Sequence, residues 1–210
     1  MNPSALRLYL VTDRALCLGR PLEWVVEEAV AGGVTLVQLR EKDASTREFI
    51  DLALRLRPIL TRAHVPLLIN DRVDIALAVD ADGVHLGQSD MPYPMARRLL
   101  GPSKIIGLSV ESLPDARAAA AIPDLDYLAV SPVYATPTKT DTAPALGLHG
   151  VREIAALSTA PVVGIGGMNR TTAPDVIAAG AAGVAVVSAI CSAPSPRQAA
   201  ADLLQALPSP

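Results

Sequence analysis

The sequence predicts a single α/β domain over residues 1–210, folded as a (β/α)8 TIM barrel. Three observations carry that expectation. Eight short β-rich apolar runs alternate with helical patterns along the whole chain. Most of the runs are almost continuously hydrophobic, as parallel strands covered on both faces must be. No Gly-x-Gly-x-x-Gly follows the first run, where a dinucleotide-binding open sheet would carry it, and no Pro/Gly/Ser-rich linker divides the chain.

Residues 8–11 (Leu-Tyr-Leu-Val) open the pattern as the first strand. A helix is expected over 23–31, where Trp24, Val25, Glu28 and Ala29 recur at helical spacing and Gly32-Gly33 supplies the stop. The second strand, 35–40, leads into the longest helix. That helix is capped by Ser45 or Thr46, carries Glu48 in its first turn and runs to Ala63. Strands at 66–70 and 83–86 flank a short helix at 74–79, and a helix at 94–100 leads to the fifth strand, 105–110. Pro114 opens a helix over 114–121, ahead of strand 127–131. Helix 151–157, strand 161–165, helix 172–179, strand 183–188 and helix 196–207 complete eight units. The glycine-containing stretches 29–34, 81–84 and 178–184 mark helix ends that feed strands.

Half of the residues are hydrophobic, 19% are charged and 3% are aromatic, so the core must be aliphatic. The net charge of −3 gives no basic excess of the kind that holds nucleic acid. Any bound anion must be held by a few local cations and backbone amides. No apolar run approaches the ~20 residues that span a bilayer. Residues 1–7 lack the apolar core of a signal peptide, and Cys17 and Cys191 match no metal-ligand spacing. The expectation is a cytoplasmic protein with reduced thiols, small-molecule partners, no nucleic acid and no membrane. The sequence leaves the oligomeric state open, a homo-oligomer included.

In such barrels the chemistry sits at the C-terminal strand ends, and the polar residues of this chain concentrate there. After the second strand comes Gln38-Leu39-Arg40-Glu41-Lys42. Strand alternation puts Gln38, Arg40 and Lys42 on one side and Leu39 on the other, so an amide and two cations face the mouth. A solvated charge run explains Glu41 but not Gln38 inside an apolar strand. Asn70-Asp71-Arg72 ends the third strand and Gly87-Gln88-Ser89-Asp90 follows the fourth. Asp71 and Asp90, on adjacent strands, can serve as helix caps or can supply the carboxylate pair that Mg²⁺ takes beside phosphate oxygens. His85, inside the fourth strand, reads as a satisfied core histidine. Ser109 can meet a ligand or cap a turn.

A long proline-containing loop follows the sixth strand, with Thr136-Pro137-Thr138-Lys139 suited to wrapping a phosphate. Its length and prolines predict that residues 132–142 close over the site. Gly166-Gly167 after the seventh strand lets the backbone approach a ligand closely, and Val187-Ser188 follows the eighth, the pair of loops with which barrels often bind phosphate. Together these give a cation-rich anion site with a carboxylate pair and a glycine-rich monophosphate site.

Several segments resemble thiamine phosphate synthases, also called thiamine-phosphate pyrophosphorylases. They are Leu-Tyr-Leu-Val-Thr-Asp at 8–13, Gly-Val-Thr-Leu-Val-Gln-Leu-Arg-Glu-Lys at 33–42, Leu-Ile-Asn-Asp-Arg at 68–72, Gly-Val-His-Leu-Gly-Gln-Ser-Asp at 83–90, Ser-Pro-Val-Tyr-Ala-Thr-Pro-Thr-Lys-Thr at 131–140 and Gly-Ile-Gly-Gly-Met at 164–168. The resemblance spans nearly the whole chain in order. It implies condensation of 4-amino-5-hydroxymethyl-2-methylpyrimidine diphosphate with a thiazole phosphate, often carboxylated, to thiamine phosphate and pyrophosphate. It implies that Gln38, Arg40, Lys42, Asn70, Ser109 and Lys139 hold the pyrimidine diphosphate, within a segment that includes Leu39 and Glu41. Arg40, Lys42, Ser109 and Lys139 become the catalytic set. Asp71 and Asp90 become ligands of the cofactor Mg²⁺. Thr136, Pro137, Thr138, Gly166, Gly167, Val187 and Ser188 become the thiazole-phosphate side.

The reaction implied is a dissociative substitution through a pyrimidine methyl cation, which needs charge stabilisation and exclusion of water and no protein nucleophile. The nearest alternative is a thiazole tautomerase on the same barrel. That isomerase typically carries a histidine near the end of the fifth strand, where this chain has Val110-Glu111, and needs no diphosphate clamp. A non-catalytic phosphate sensor has no use for paired carboxylates, and a sugar-phosphate isomerase requires an acid/base pair that is not apparent here.

Overall fold

The computed structural model describes residues 1–136 and 144–208. Eight parallel strands form a closed barrel in chain order: β1 (Leu8–Val11), β2 (Leu36–Leu39), β3 (Leu67–Asn70), β4 (Gly83–Leu86), β5 (Ile105–Val110), β6 (Tyr127–Val130), β7 (Val162–Ile165) and β8 (Gly183–Val186). β8 pairs with β1 to close the ring, with Tyr9 opposite Ala185. The helices are α1 (Leu22–Ala31), α2 (Thr46–Ala63), α3 (Val73–Ala78), α4 (Tyr93–Leu100), α5 (Leu113–Ala120), α6 (Gly147–Leu157), α7 (Ala173–Ala178), α8 (Ser188–Cys191) and α9 (Pro196–Ala206).

Strand alternation sorts the apolar residues into two clusters. Leu8, Leu10, Val37, Leu39, Ile69, Val84 and Val130 point outward and pack under the helices. Tyr9, Leu36, Leu68, Tyr127, Val163 and Ala185 point inward and fill the barrel. At the N-terminal end, side chains lock alternate strands. Thr35 Oγ1 accepts the Leu8 amide at 2.9 Å, Asp82 the Leu67 amide at 2.8 Å and Asp126 the Ile106 amide at 2.9 Å. Arg97 then ties Asp126 (2.8 Å) to the Lys104 carbonyl (2.6 Å), fastening α4 to the start of β5.

The expected elements are all present, with physical reasons for the shifts at their ends. β2 stops at Leu39 because the Arg40 amide leaves the ladder for Thr12 Oγ1 at 3.0 Å. β6 stops before Ser131-Pro132, since Pro132 has no amide proton to give. β8 stops at Val186, and Ser188 begins the unforeseen four-residue helix α8. α2 is capped by Ser45, in a full capping box with Glu48. Cys17 and Cys191 are free and buried, and Cys17 Sγ lies 3.3 Å from the Asp13 carbonyl oxygen. Among the described residues no helix is long and apolar enough to cross a membrane.

Candidate active site

The C-terminal strand ends surround a cavity of about 410 Å³. Gln38, Arg40 and Lys42 line it from β2 and the residues beyond, as alternation requires. Leu39 does not. It is fully buried in the outer cluster, so its side chain is withdrawn from the site expected around 38–42. Glu41 also turns away, pairing with Arg14 at 2.7 Å; burial raises its pKa above the usual carboxylate range. Neither residue lines the cavity.

Asn70 and Asp71 enter from β3, and Asp90 from the loop after β4. Asp71 sits in left-handed conformation at φ 62°, which a short polar side chain tolerates. Its amide still donates to the His85 carbonyl at 2.8 Å, so the turn stays fastened to β4 while the carboxylate faces the mouth. Lys42 Nζ lies 2.6 Å from Asp71 Oδ2. Asp90 Oδ2 accepts the Gly87 amide at 2.6 Å. A Cβ at Gly87 would meet that oxygen at 3.0 Å, so a side chain here would press on the carboxylate. Burial first, and then hydrogen-bond contact with Asp71, pushes the Asp90 carboxyl above the usual range. Arg40 lines the same wall and has no ion-pair partner among the described residues.

The opposite rim is built by β7 and β8. Gly166 (φ 100°) and Gly167 (φ 68°) need the left-handed freedom of glycine, and a Cβ on either would press on Pro132 or Tyr134. Val133 and Tyr134 donate to the Ile165 and Gly166 carbonyls at 2.8 and 3.2 Å, extending β6 along β7. Val187 and Ser188 line the cavity where α8 begins, and Thr136 lines it from the loop after β6. Pro137, Thr138 and Lys139 lie outside the described residues, as does most of the 132–142 segment expected to close.

Tyr9, Gln88 and Ser131, which the sequence does not mark as site residues, also line the cavity, as does Glu111, whose role the sequence leaves open. Tyr9 carried one signal, a polar-tipped ring at an inward position of β1. His85 is buried and satisfied, and it is also on the cavity wall. Its Nε2 lies 2.8 Å from Ser109 Oγ and its Nδ1 lies 2.8 Å from the Tyr127 hydroxyl. No group of three or more His, Cys, Asp or Glu side chains able to hold a metal occurs among the described residues. The two apposed carboxylates do suit Mg²⁺, which takes one or two carboxylates and completes its shell with phosphate oxygens and water. Burial first, and then the neighbouring Asp71, disfavours the charged form of Asp90, and a divalent cation would offset both.

Cations and a carboxylate pair on one wall, with a glycine shelf on the other, define a phosphate-ligand-binding TIM barrel. The family model described as thiamine monophosphate synthase matches residues 8–190, and the chain belongs to that family. The thiamine-phosphate synthase of Leptospira biflexa is 58% identical over 199 residues, covering 93% of this chain and 95% of that protein. The one from Albidiferax ferrireducens is 55% identical over 202 residues, covering 96% and 92%. The structure of the Pyrococcus furiosus thiamine phosphate pyrophosphorylase superposes with a TM-score of 0.88 at 40% identity, covering 97% of this chain and 96% of that one. The activity is accordingly that of a transferase, thiamine-phosphate synthesis, and the tautomerase alternative is not favoured.

Proposed function

We propose that the chain performs this synthesis as a Mg²⁺-dependent dissociative substitution. The pyrimidine methylene–oxygen bond breaks with its electron pair leaving on the diphosphate. The thiazole nitrogen then gives its lone pair to the methylene carbon, and a carboxylated thiazole also loses CO₂, its ring carbon keeping the electron pair and taking up a proton. Negative charge grows on the departing diphosphate, so what accelerates the step is positive potential fixed there in advance. Arg40 grips phosphate oxygens with a planar fork, Lys42 adds a point charge, and Lys139 joins them in this reading. Asp71 and Asp90 would hold Mg²⁺, which when bound supplies further positive charge to the leaving group. Gln38, Asn70 and Ser109 hold the pyrimidine. Thr136, Pro137, Thr138, Gly166, Gly167, Val187 and Ser188 form the side that receives the thiazole phosphate. The proposed setting is the cytoplasm, with small molecules as the only partners that the reaction requires.

The observation that carries this reading is the meeting of Arg40, Lys42, Asp71 and Asp90 on one cavity wall. The test is to mix the purified protein with both substrates and Mg²⁺ and to assay thiamine phosphate. Thiazole isomerisation without pyrimidine-dependent pyrophosphate release would overturn it.

A further inference from the structure

Five polar side chains from five strands form one hydrogen-bonded chain across the barrel interior. Gln38 Nε2 on β2 donates to the Tyr9 hydroxyl on β1. The Tyr9 hydroxyl lies 2.9 Å from that of Tyr127 on β6. The Tyr127 hydroxyl lies 2.8 Å from His85 Nδ1 on β4, and His85 Nε2 lies 2.8 Å from Ser109 Oγ on β5. Gln38, Tyr9, His85 and Ser109 line the cavity, whereas Tyr127 is fully buried behind them.

Tyr127 reaches His85 because of a glycine. β5 lies between β4 and β6, and Gly107 stands beside both His85 and Tyr127 in the register. A Cβ at Gly107 would fall on the Tyr127 ring and hydroxyl. The bare backbone lets the phenol cross over β5, stack on the imidazole (centroids 5.6 Å apart, 25° between planes) and meet Tyr9 edge-on at 5.9 Å.

A hydroxyl carries one proton and can accept two, and with Gln38 donating, only one polarity of the chain gives both tyrosine protons an acceptor within it. In that polarity Tyr9 accepts from Gln38 and gives its proton to Tyr127. Tyr127 gives its own to His85 Nδ1. His85 then carries its proton on Nε2 and donates to Ser109, which keeps its own proton to donate to a ligand. At the other end, the Gln38 nitrogen is engaged and its Oε1 remains to accept.

We propose that Tyr127 is a positioning residue: acting through His85 and Tyr9, it fixes an acceptor at Gln38 and a donor at Ser109, the polarity that matches the amino group and ring nitrogen of an aminopyrimidine. This inference rests on the assignment of Gln38 and Ser109 to the pyrimidine. It adds a residue that touches no ligand, and a tautomer that the site requires.

Two readouts test it. Ring ¹⁵N spectra of histidine-labelled protein, at a pH where His85 is neutral, are expected to show the Nε2–H tautomer in the native chain. In Tyr127→Phe that preference is lost. A native His85 protonated on Nδ1 overturns the proposal. In steady-state kinetics, Tyr127→Phe is expected to lower kcat/KM for the pyrimidine diphosphate by about 10- to 100-fold while the KM for thiazole phosphate stays within about twofold. A residue that merely stabilises the fold would change the amount of active protein and leave both the tautomer and this split unmoved, so unchanged kinetics per folded molecule also overturn it. If Tyr127→Phe does not fold, the native tautomer decides, and Tyr9→Phe, which breaks the chain one link upstream, must reproduce the kinetic split. A native chain that makes no thiamine phosphate refutes the proposed activity, and the ring spectrum still judges the hydrogen-bond polarity separately.

Discussion

Asp90 carries the sharpest tension in the site. Burial and the neighbouring Asp71 disfavour its charged form, against the Gly87 amide and Lys42, which favour it. Asp90→Ala is predicted to lower kcat at least about 100-fold while thiazole-phosphate affinity stays nearly unchanged, since the removed group serves the leaving diphosphate. Equal loss of both, measured by kinetics and calorimetry, would mark Asp90 as structural. The same residue predicts a gain in stability. Its folded pKa is raised above the unfolded value, so the folded metal-free protein binds more protons. Its contribution therefore improves as pH falls through the raised pKa and is unfavourable at neutral pH. Asp90→Asn is expected to melt higher than the native chain at pH 7 without Mg²⁺, and to lose that advantage when Mg²⁺ is added to both.

At the scale of elements, the barrel depends on side chains that take over strand-end amides. Asp126 accepts from both Ile106 and Arg97, and its removal leaves a part-buried amide without a partner. Asp126→Ala is predicted to cost about 1–3 kcal/mol in urea unfolding, with unchanged kcat for the fraction that remains folded. Elements with local signals are legible in the sequence: Ser45 and Glu48 announce the start of α2, and the apolar runs announce every strand. α8 is not legible, because four residues hold no helical period and its formation follows from the turn at Val187. Among site residues, Gln38, Arg40 and Lys42 stand out because polar groups interrupt an apolar strand at alternating positions. Leu39 and Glu41 share that segment but not its direction. Tyr127 is silent, because an aromatic ring in an apolar run reads as core filling. Only its register with Gly107 and His85 shows where its hydroxyl goes.

The whole molecule carries a net charge of −3, yet it gathers cations at one strand-end wall. A global field therefore contributes little to holding a diphosphate; binding falls to contacts at the mouth and to the metal that Asp71 and Asp90 are proposed to hold. The barrel serves this by bringing side chains separated by up to 50 positions, Arg40 to Asp90, onto one surface. In the proposed mechanism this local positive potential drives departure of pyrophosphate. The most direct test is to measure pyrophosphate and thiamine phosphate together, with Mg²⁺ and after chelation. Equal amounts of the two products are expected with Mg²⁺, and a fall of at least about 100-fold in both when the metal is removed. Undiminished turnover in the chelated protein would contradict that mechanism.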